Sequence, residues 1–370
     1  MFDKKSIAIA LISLFGVFSL QAAPKFVNVP GSASSTEFKE GAWATDPAKL
    51  CAVANETLLY LNKGVDYDAA AIHGGKVQGA SFPLERVKTT LRYVCELAKN
   101  NPAALADANF IAKNFELVRW YPDVNAAHKL AKQKPLLAKI PNDQILQTKY
   151  YVRIADGGAA KSSRHPQALY GLPFDEAKLT LAEADALGAK ITRFQLGKQQ
   201  IVKGALEQQP LQAPALVWLS REDLEGALLQ GTAVVPNGNK YRYYNVHRTN
   251  GIPYDRKIAP ELQQRYWYFK EVKSVLGYGK DADYKIPIQP EVTVAGDIPQ
   301  LGLGKLILLA TKEHGTITYR LTVLADTGGA FANNLYQLDW LSGYYRGWDD
   351  YYAANKHRAD YSSSWILVKK

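Results

Sequence analysis

The run Val323–Asp339, VLADTGGAFANNLYQLD, constrains the fold of this chain more than any other stretch. The largely apolar run Leu321–Ala325 reads as a buried strand that ends in Asp326-Thr327-Gly328-Gly329. Glycine tolerates backbone dihedrals closed to other residues, so a strand ending this way delivers a carboxylate where the chain turns sharply. A second carboxylate, Asp339, follows the turn, and a third, Asp297, sits upstream before Ile-Pro and another glycine-rich turn, in TVAGDIPQLGLGKLILL. Three aspartates at strand ends within one short region predict a site built on β-structure.

The 370 residues exceed one ordinary domain, and the 47% hydrophobic content suffices for a sizeable core. Asp3-Lys4-Lys5, the apolar run Ser6–Leu20 and Gln-Ala-Ala-Pro read as a signal peptide over residues 1–22, cut after Ala22 or Ala23. The apolar run is short for a membrane span. Cys51 and Cys95 each lie in a helical pattern, and an even pair in an exported protein predicts a disulfide, with two separate buried thiols as the alternative. The formal charge is +10; loss of Lys4, Lys5 and Asp3 removes a net +1 and leaves +9. A basic protein is drawn to polyanions. There is no basic stripe or nucleic-acid motif, so nucleic acid is not the expected partner. The histidines show no ligand spacing and no nucleotide motif occurs, so no metal and no cofactor is expected.

Residues 24–45 read as an extended lead-in, and Asp46–Lys134 show helical periodicity broken at Gly64, Gly74-Gly75, Pro102 and Pro122, giving an accessory helical region over 24–135. From Gln147 the texture turns to short β-like runs, with Pro236-Asn237-Gly238 as a hairpin signal and a helix-like stretch at Ala259–Gly277.

These segments, in order, resemble the membrane-bound lytic transglycosylase A (MltA) family with its C-terminal three-aspartate (3D) domain. The three aspartates match as VAGDIPQLGLG (Val294–Gly304), ADTGGAF (Ala325–Phe331) and QLDWLSG (Gln337–Gly343). Upstream, TKYYVR (Thr148–Arg153) is similar to the family's TGYYEP, and SSRHPQALYGLP (Ser162–Pro173) to its SRYPVPLYRRP. LVWLSREDLEGALLQGTAVV (Leu216–Val235) and NGIPYD (Asn250–Asp255) match two further motifs, so the resemblance covers about 145–370. It implies a mainly β fold: a double-psi β-barrel from 145–173 and 286–370, with the 3D domain at about 290–370, and a second β domain inserted at 174–285. It also implies cleavage of the β-1,4 bond between N-acetylmuramic acid and N-acetylglucosamine, with formation of 1,6-anhydromuramic acid.

Such a reaction needs one carboxyl rather than the usual two, because the C6 hydroxyl of the muramic acid is itself the nucleophile. The carboxyl must begin protonated near neutral pH, which calls for an apolar or anion-rich setting. By position, Asp339 matches the catalytic aspartate, flanked by apolar Leu338, Trp340 and Leu341, with Asp326 and Asp297 as supporting carboxylates. Substrate contacts are expected from Thr148, Tyr150, Tyr151, Gln230, Gly231, Thr232, Asn250, Tyr254, Gly328 and Gly329, and sugar stacking from Tyr344, Tyr345 and Trp348. Peptidoglycan strands are the expected partner, with wall proteins reaching the N-terminal region. The expected place is the Gram-negative periplasm, peripheral to the outer membrane, without the lipoprotein cysteine found in many relatives.

Several positions depart from the family: Val152-Arg153 replaces Glu-Pro, the family's Gln-Gly-Ser-Gly is Gln-Gly-Thr-Ala, and the spacing from Asp326 to Asp339 differs. These leave open a second reading, a catalytically weak or silent peptidoglycan-binding protein of the same fold. Asp-Thr-Gly also occurs in aspartic proteases, but those need two such loops, and this chain has one.

Overall fold

A computed structural model of the chain describes residues 24–31, 36–132, 134–208, 212–255, 257–280, 284–329 and 331–370. The signal peptide expected at 1–22 lies outside the described residues.

The first described part mixes helix and strand. Short strands β1 (Lys25–Asn28) and β2 (Ala42–Trp43) precede α1 (Pro47–Leu61). The start of α1 is fixed by Pro47 at its first position and by Asp46, whose carboxylate accepts from Ala48 N and Lys49 N. α2 (Leu84–Asn100) buries Val87, Leu91, Val94 and Cys95 at helical spacing, and a disulfide joins Cys95 to Cys51 on α1. α3 (Ala108–Asn114), capped by Asp107, runs straight into β3 (Phe115–Tyr121), and α4 (Val124–Lys129) follows. The helical pattern read over Asp46–Lys134 therefore fails at β3. There the aromatic and branched run FELVRWY buries Phe115, Leu117, Val118 and Trp120 and pairs with the C-terminal strand, and tertiary pairing overrides local periodicity.

β4 (Ile145–Arg153) leads into a unit with its own core. In chain order it holds β5 (Gly157–Gly158), β6 (Gln167–Tyr170), α5 (Leu181–Leu187), α6 (Lys198–Val202), β7 (Ala215–Leu219), α7 (Arg221–Gln230), β8 (Thr232–Asn237), β9 (Lys240–Thr249) and β10 (Trp267–Val272). Its sheets run β5-β7-β6 and β10-β9-β8. β8 and β9 form a hairpin whose turn holds Gly238 at φ 62°. The stretch read as helical at Ala259–Gly277 contains β10 instead. Tyr268 and Phe269 are buried against the core of this unit and the strand pairs with β9.

The chain then returns through β11 (Thr293–Ala295), the single turn α8 (Ile298–Leu301), β12 (Leu306–Glu313), β13 (Thr316–Asp326), β14 (Gln337–Tyr345), α9 (Trp348–Asn355) and β15 (Arg358–Lys369). Six strands close in the order β4-β14-β11-β13-β12-β15, and the ring is completed by Leu146 opposite Tyr361 and Ile145 opposite Ser362. The β11–β13 and β14–β4 pairs are parallel and the remaining pairs antiparallel. Leu308, Leu321, Val323, Leu338 and Trp340 are among the fully buried residues of the main core, to which α1 and α2 also contribute. The fold is mainly β, built on this closed six-stranded barrel.

Candidate active site

Strand pairing brings two of the three aspartates together. Ala295 on β11 is the register partner of Asp326 at the end of β13 on one side and of Asp339 on β14 on the other. On its far side Asp339 pairs with Thr148 of β4. The ladder slips by one residue between Val294 and Ala295, which places Asp326 where the strand gives way to its turn.

The Tyr150 hydroxyl donates to Asp326 Oδ2 at 2.7 Å, and Thr327 N donates to Oδ1 at 2.8 Å. Thr327 Oγ1 in turn donates to Gly296 O at 2.8 Å, tying the turn to β11. Burial pushes the Asp326 carboxyl up to about 6, against the opposing pull of the Tyr150 hydroxyl, the Thr327 amide and the Lys285 charge. Asp339 is likewise raised to about 6, first by burial and further by the charge of Asp326. The Thr148 hydroxyl and the charges of Lys134 and Lys149 pull it down. Both carboxyls therefore hold a proton to higher pH than an ordinary aspartate. Asp339 Oδ1 is buried and has no hydrogen-bond partner among the described residues.

Asp297 has a different setting. It is fully buried, caps α8 by accepting from Gln300 N at 3.1 Å, and accepts from Asn334 N at 2.8 Å. It clamps the loop between β13 and β14 onto α8. Burial raises its carboxyl, and those backbone donors oppose the rise.

A cleft of about 650 Å³ lies between the barrel and the unit spanning β5 to β10. Asp326, Tyr150, Tyr151, Gln230, Gly231 and Thr232 line it. Gln230 reaches it from the end of α7, where Gly231 at φ 78° ends the helix, and Gln230 Oε1 accepts from Arg153 N. Thr232 Oγ1 is 3.0 Å from Asn245 Oδ1.

The other expected contacts stand elsewhere. Asp339 and Thr148 are set back from the cleft wall, and Gly328 and Gly329 lie exposed on the turn beyond it. Asn250 is a correction: it is buried and its amide nitrogen donates to Leu196 O and Gln264 O, while its oxygen accepts from Tyr266 N. Both ends of its amide are thus engaged inside the unit spanning β5 to β10. Tyr254 lies away from the cleft, packed against the Arg265 guanidinium at a small separate hollow.

Of the three candidate stacking residues, Trp348 stands 65% exposed on the cleft rim, whereas Tyr344 and Tyr345 face a separate shallow hollow. Sequence reasoning missed Lys149, Tyr278, Lys285 and Tyr351 on the wall. Tyr351 stacks on Tyr151 at 4.8 Å and donates to Lys149 O. Its signal was legible in WDDYYAAN, where Trp348 and Tyr351 share a helix face; Lys285 and Tyr278 carry no motif. Among the described residues no cluster of His, Cys, Asp and Glu could hold a metal ion, and no helix is long and apolar enough to cross a membrane.

No protein-family model matches the chain, and no curated protein matches it either. Solved structures do. MltA from Neisseria gonorrhoeae superposes with a TM-score of 0.58 at 16% identity, over 92% of each chain. A membrane-bound lytic murein transglycosylase from Agrobacterium tumefaciens gives 0.53 at 16% identity, over 88% of this chain and 93% of that one. E. coli MltA with bound chitohexaose gives 0.53 at 14% identity, over 93% and 94%. In architecture, this chain has the fold of the MltA lytic murein transglycosylases.

Proposed function

We propose that this chain is a peptidoglycan lytic transglycosylase of the MltA family, with Asp339 as its acid and base. The observation that carries the reading is the carboxyl pair beside the cleft: Asp339 with a buried, unpartnered oxygen, and Asp326 close enough to raise it. In this reading the protonated Asp339 gives its proton to the glycosidic oxygen as the bond to C1 breaks. The carboxylate left behind then accepts the proton of the C6 hydroxyl as that oxygen bonds to C1, so no water enters. Asp326, held by Tyr150, keeps negative charge near the developing oxocarbenium ion, and Asp297 positions the loop. Gln230, Gly231, Thr232, Tyr150 and Tyr151 would hold the glycan, with Trp348 stacking at the rim.

The barrel is proposed to be of double-psi type, which its two parallel pairs support, with the unit at 174–285 inserted in it. The proposed place is the periplasm, reached by the signal peptide, with peptidoglycan carboxylates attracting the basic surface. Wall proteins are the proposed partners of the N-terminal region. A second reading, a silent peptidoglycan binder, is favoured by the set-back position of Asp339 behind a wall formed by Asp326.

Incubation of the mature protein with purified murein sacculi, followed by mass analysis, separates the two. Release of 1,6-anhydromuropeptides is expected. Products ending only in reducing muramic acid would overturn the transglycosylase reading, and binding without release would establish the silent one.

A further inference from the structure

The job of the first hundred or so residues is not given by the barrel, yet one buried cluster connects them to the cleft. Asp68, in the loop after α1, is buried, and its Oδ2 accepts two tyrosine hydroxyls at 2.8 Å each, from Tyr60 on α1 and from Tyr278. The Tyr60 oxygen also accepts Lys280 N at 2.9 Å, and Lys280 Nζ donates to Tyr67 O. Tyr278 is a cleft residue. Its backbone N donates to Ala325 O, one residue before Asp326. A Cβ on neighbouring Gly277 would stand 2.7 Å from Ala325 O and 3.3 Å from Asp326 Cβ, so the two backbones meet there with no side chain between them. The cleft wall at 277–279 is therefore held on one face by the strand end that carries Asp326, and on the other, with Lys280 next to it, by Asp68 and Tyr60.

We propose that Asp68 is a positioning residue: through Tyr60 and Tyr278 it sets the wall of the cleft opposite the glycan, and this is how the N-terminal helical region serves the site. The proposal rests on the glycan-cleaving reading of that cleft. Asp68 itself touches no cleft surface, so its effect must pass through Tyr278 and Lys280. The chemistry suits the role. A carboxylate takes two hydroxyl donors on one oxygen, and each such bond is stronger than a neutral one. Removing the carboxylate leaves both hydroxyls and their loop without that anchor.

The test compares Asp68→Ala, Asp68→Asn and Tyr60→Phe with wild type, on soluble uncrosslinked glycan strands. Asp68→Ala should raise KM about tenfold, the size expected for losing a buried anchor, with kcat within about twofold. Asp68→Asn, which keeps an acceptor oxygen, should recover most of the affinity. Tyr60→Phe removes the acceptor for Lys280 N and should raise KM in the same direction; it carries the test if Asp68→Ala does not fold. Amide exchange at Tyr278 and Lys280 should quicken in the affected variants. An unchanged KM and unchanged exchange in a folded Asp68→Ala or Tyr60→Phe would overturn the proposal, as would a loss confined to kcat. If wild type releases no product, the activity reading fails by itself. Titration of chitohexaose and the exchange rates then decide the positioning role on their own.

Discussion

Replacing Asp339 by Asn should abolish turnover and stabilise the protein at the same time. Asp339 is raised from 3.8 to about 6 because its ionised form is poorly solvated where it sits. A carboxyl whose folded value lies above its unfolded one supports the fold while protonated. That support is complete below the unfolded value and is lost as pH rises through the folded one. The difference, from 3.8 to about 6, corresponds to about 3 kcal/mol at 1.36 kcal/mol per pH unit, taken as an upper limit because part of the residue meets solvent. An amide of nearly the same shape carries no charge at any of these pH values. Asp339→Asn should therefore unfold at a higher temperature than wild type at pH 8, by a few degrees. The gain should fade between pH 6 and pH 4 and be absent below. Turnover should drop by about 10²–10⁴-fold, the range for general acid–base catalysis. Calorimetric melts at pH 4, 6 and 8 beside an anhydromuropeptide assay read both effects. The reasoning is refuted if the stability difference does not depend on pH, or if the variant keeps more than about a tenth of the wild-type rate.

Three further outcomes follow from contacts around the site. Tyr150→Phe removes the hydroxyl that holds Asp326 down, so the pH–rate profile should move to higher pH, while kcat at its optimum changes less than in Asp339→Asn. Asp297→Ala strands the amides of Gln300 and Asn334, and chemical denaturation should report a loss of about 2–4 kcal/mol, with residual activity where the protein remains folded. The paired Cys51→Ser and Cys95→Ser variant should be about 4 kcal/mol less stable in the chain-entropy picture for a 44-residue separation. Its cleft should remain able to bind glycan at low temperature.

The turn carrying Asp326 was legible in the order of residues 321–329, a largely apolar strand that ends in Asp-Thr-Gly-Gly. That Tyr150 and Tyr151 stand near Gln230-Gly231-Thr232 was implied by the resemblance of their motifs, and these residues line one cleft. What stayed hidden depended on long-range pairing. β3 reads as part of a helical region until β15 is beside it, and β10 reads as a helix until β9 is. Asn250 sits in a motif that suggests contact with sugar, but a motif does not say which way a side chain points. Lys285 and Tyr278 reach the wall on an irregular segment that no periodicity marks. The different roles of Asp297, a clamp, and Asp326, a wall residue, emerge only from their hydrogen-bond partners.

The way β4 joins the barrel sets the order in which this chain can fold. β4 ends at Arg153, and the next barrel strand begins at Thr293, yet β4 must lie beside β14 and close against Tyr361 and Ser362. Lengthening the intervening loop adds little to its equilibrium entropy, since that rises only with the logarithm of length. Pairing distant segments is nonetheless slow. The unit from β5 to β10 packs around a hydrophobic cluster of its own, so it can collapse early and draw β4 and the returning chain toward each other. Pulse-labelled exchange during refolding should then protect Tyr244, Tyr268 and Phe269 before Ile145 and Leu146. The seam of the barrel should then be the last part of the molecule to form, and the cleft beside Asp326 should form with it.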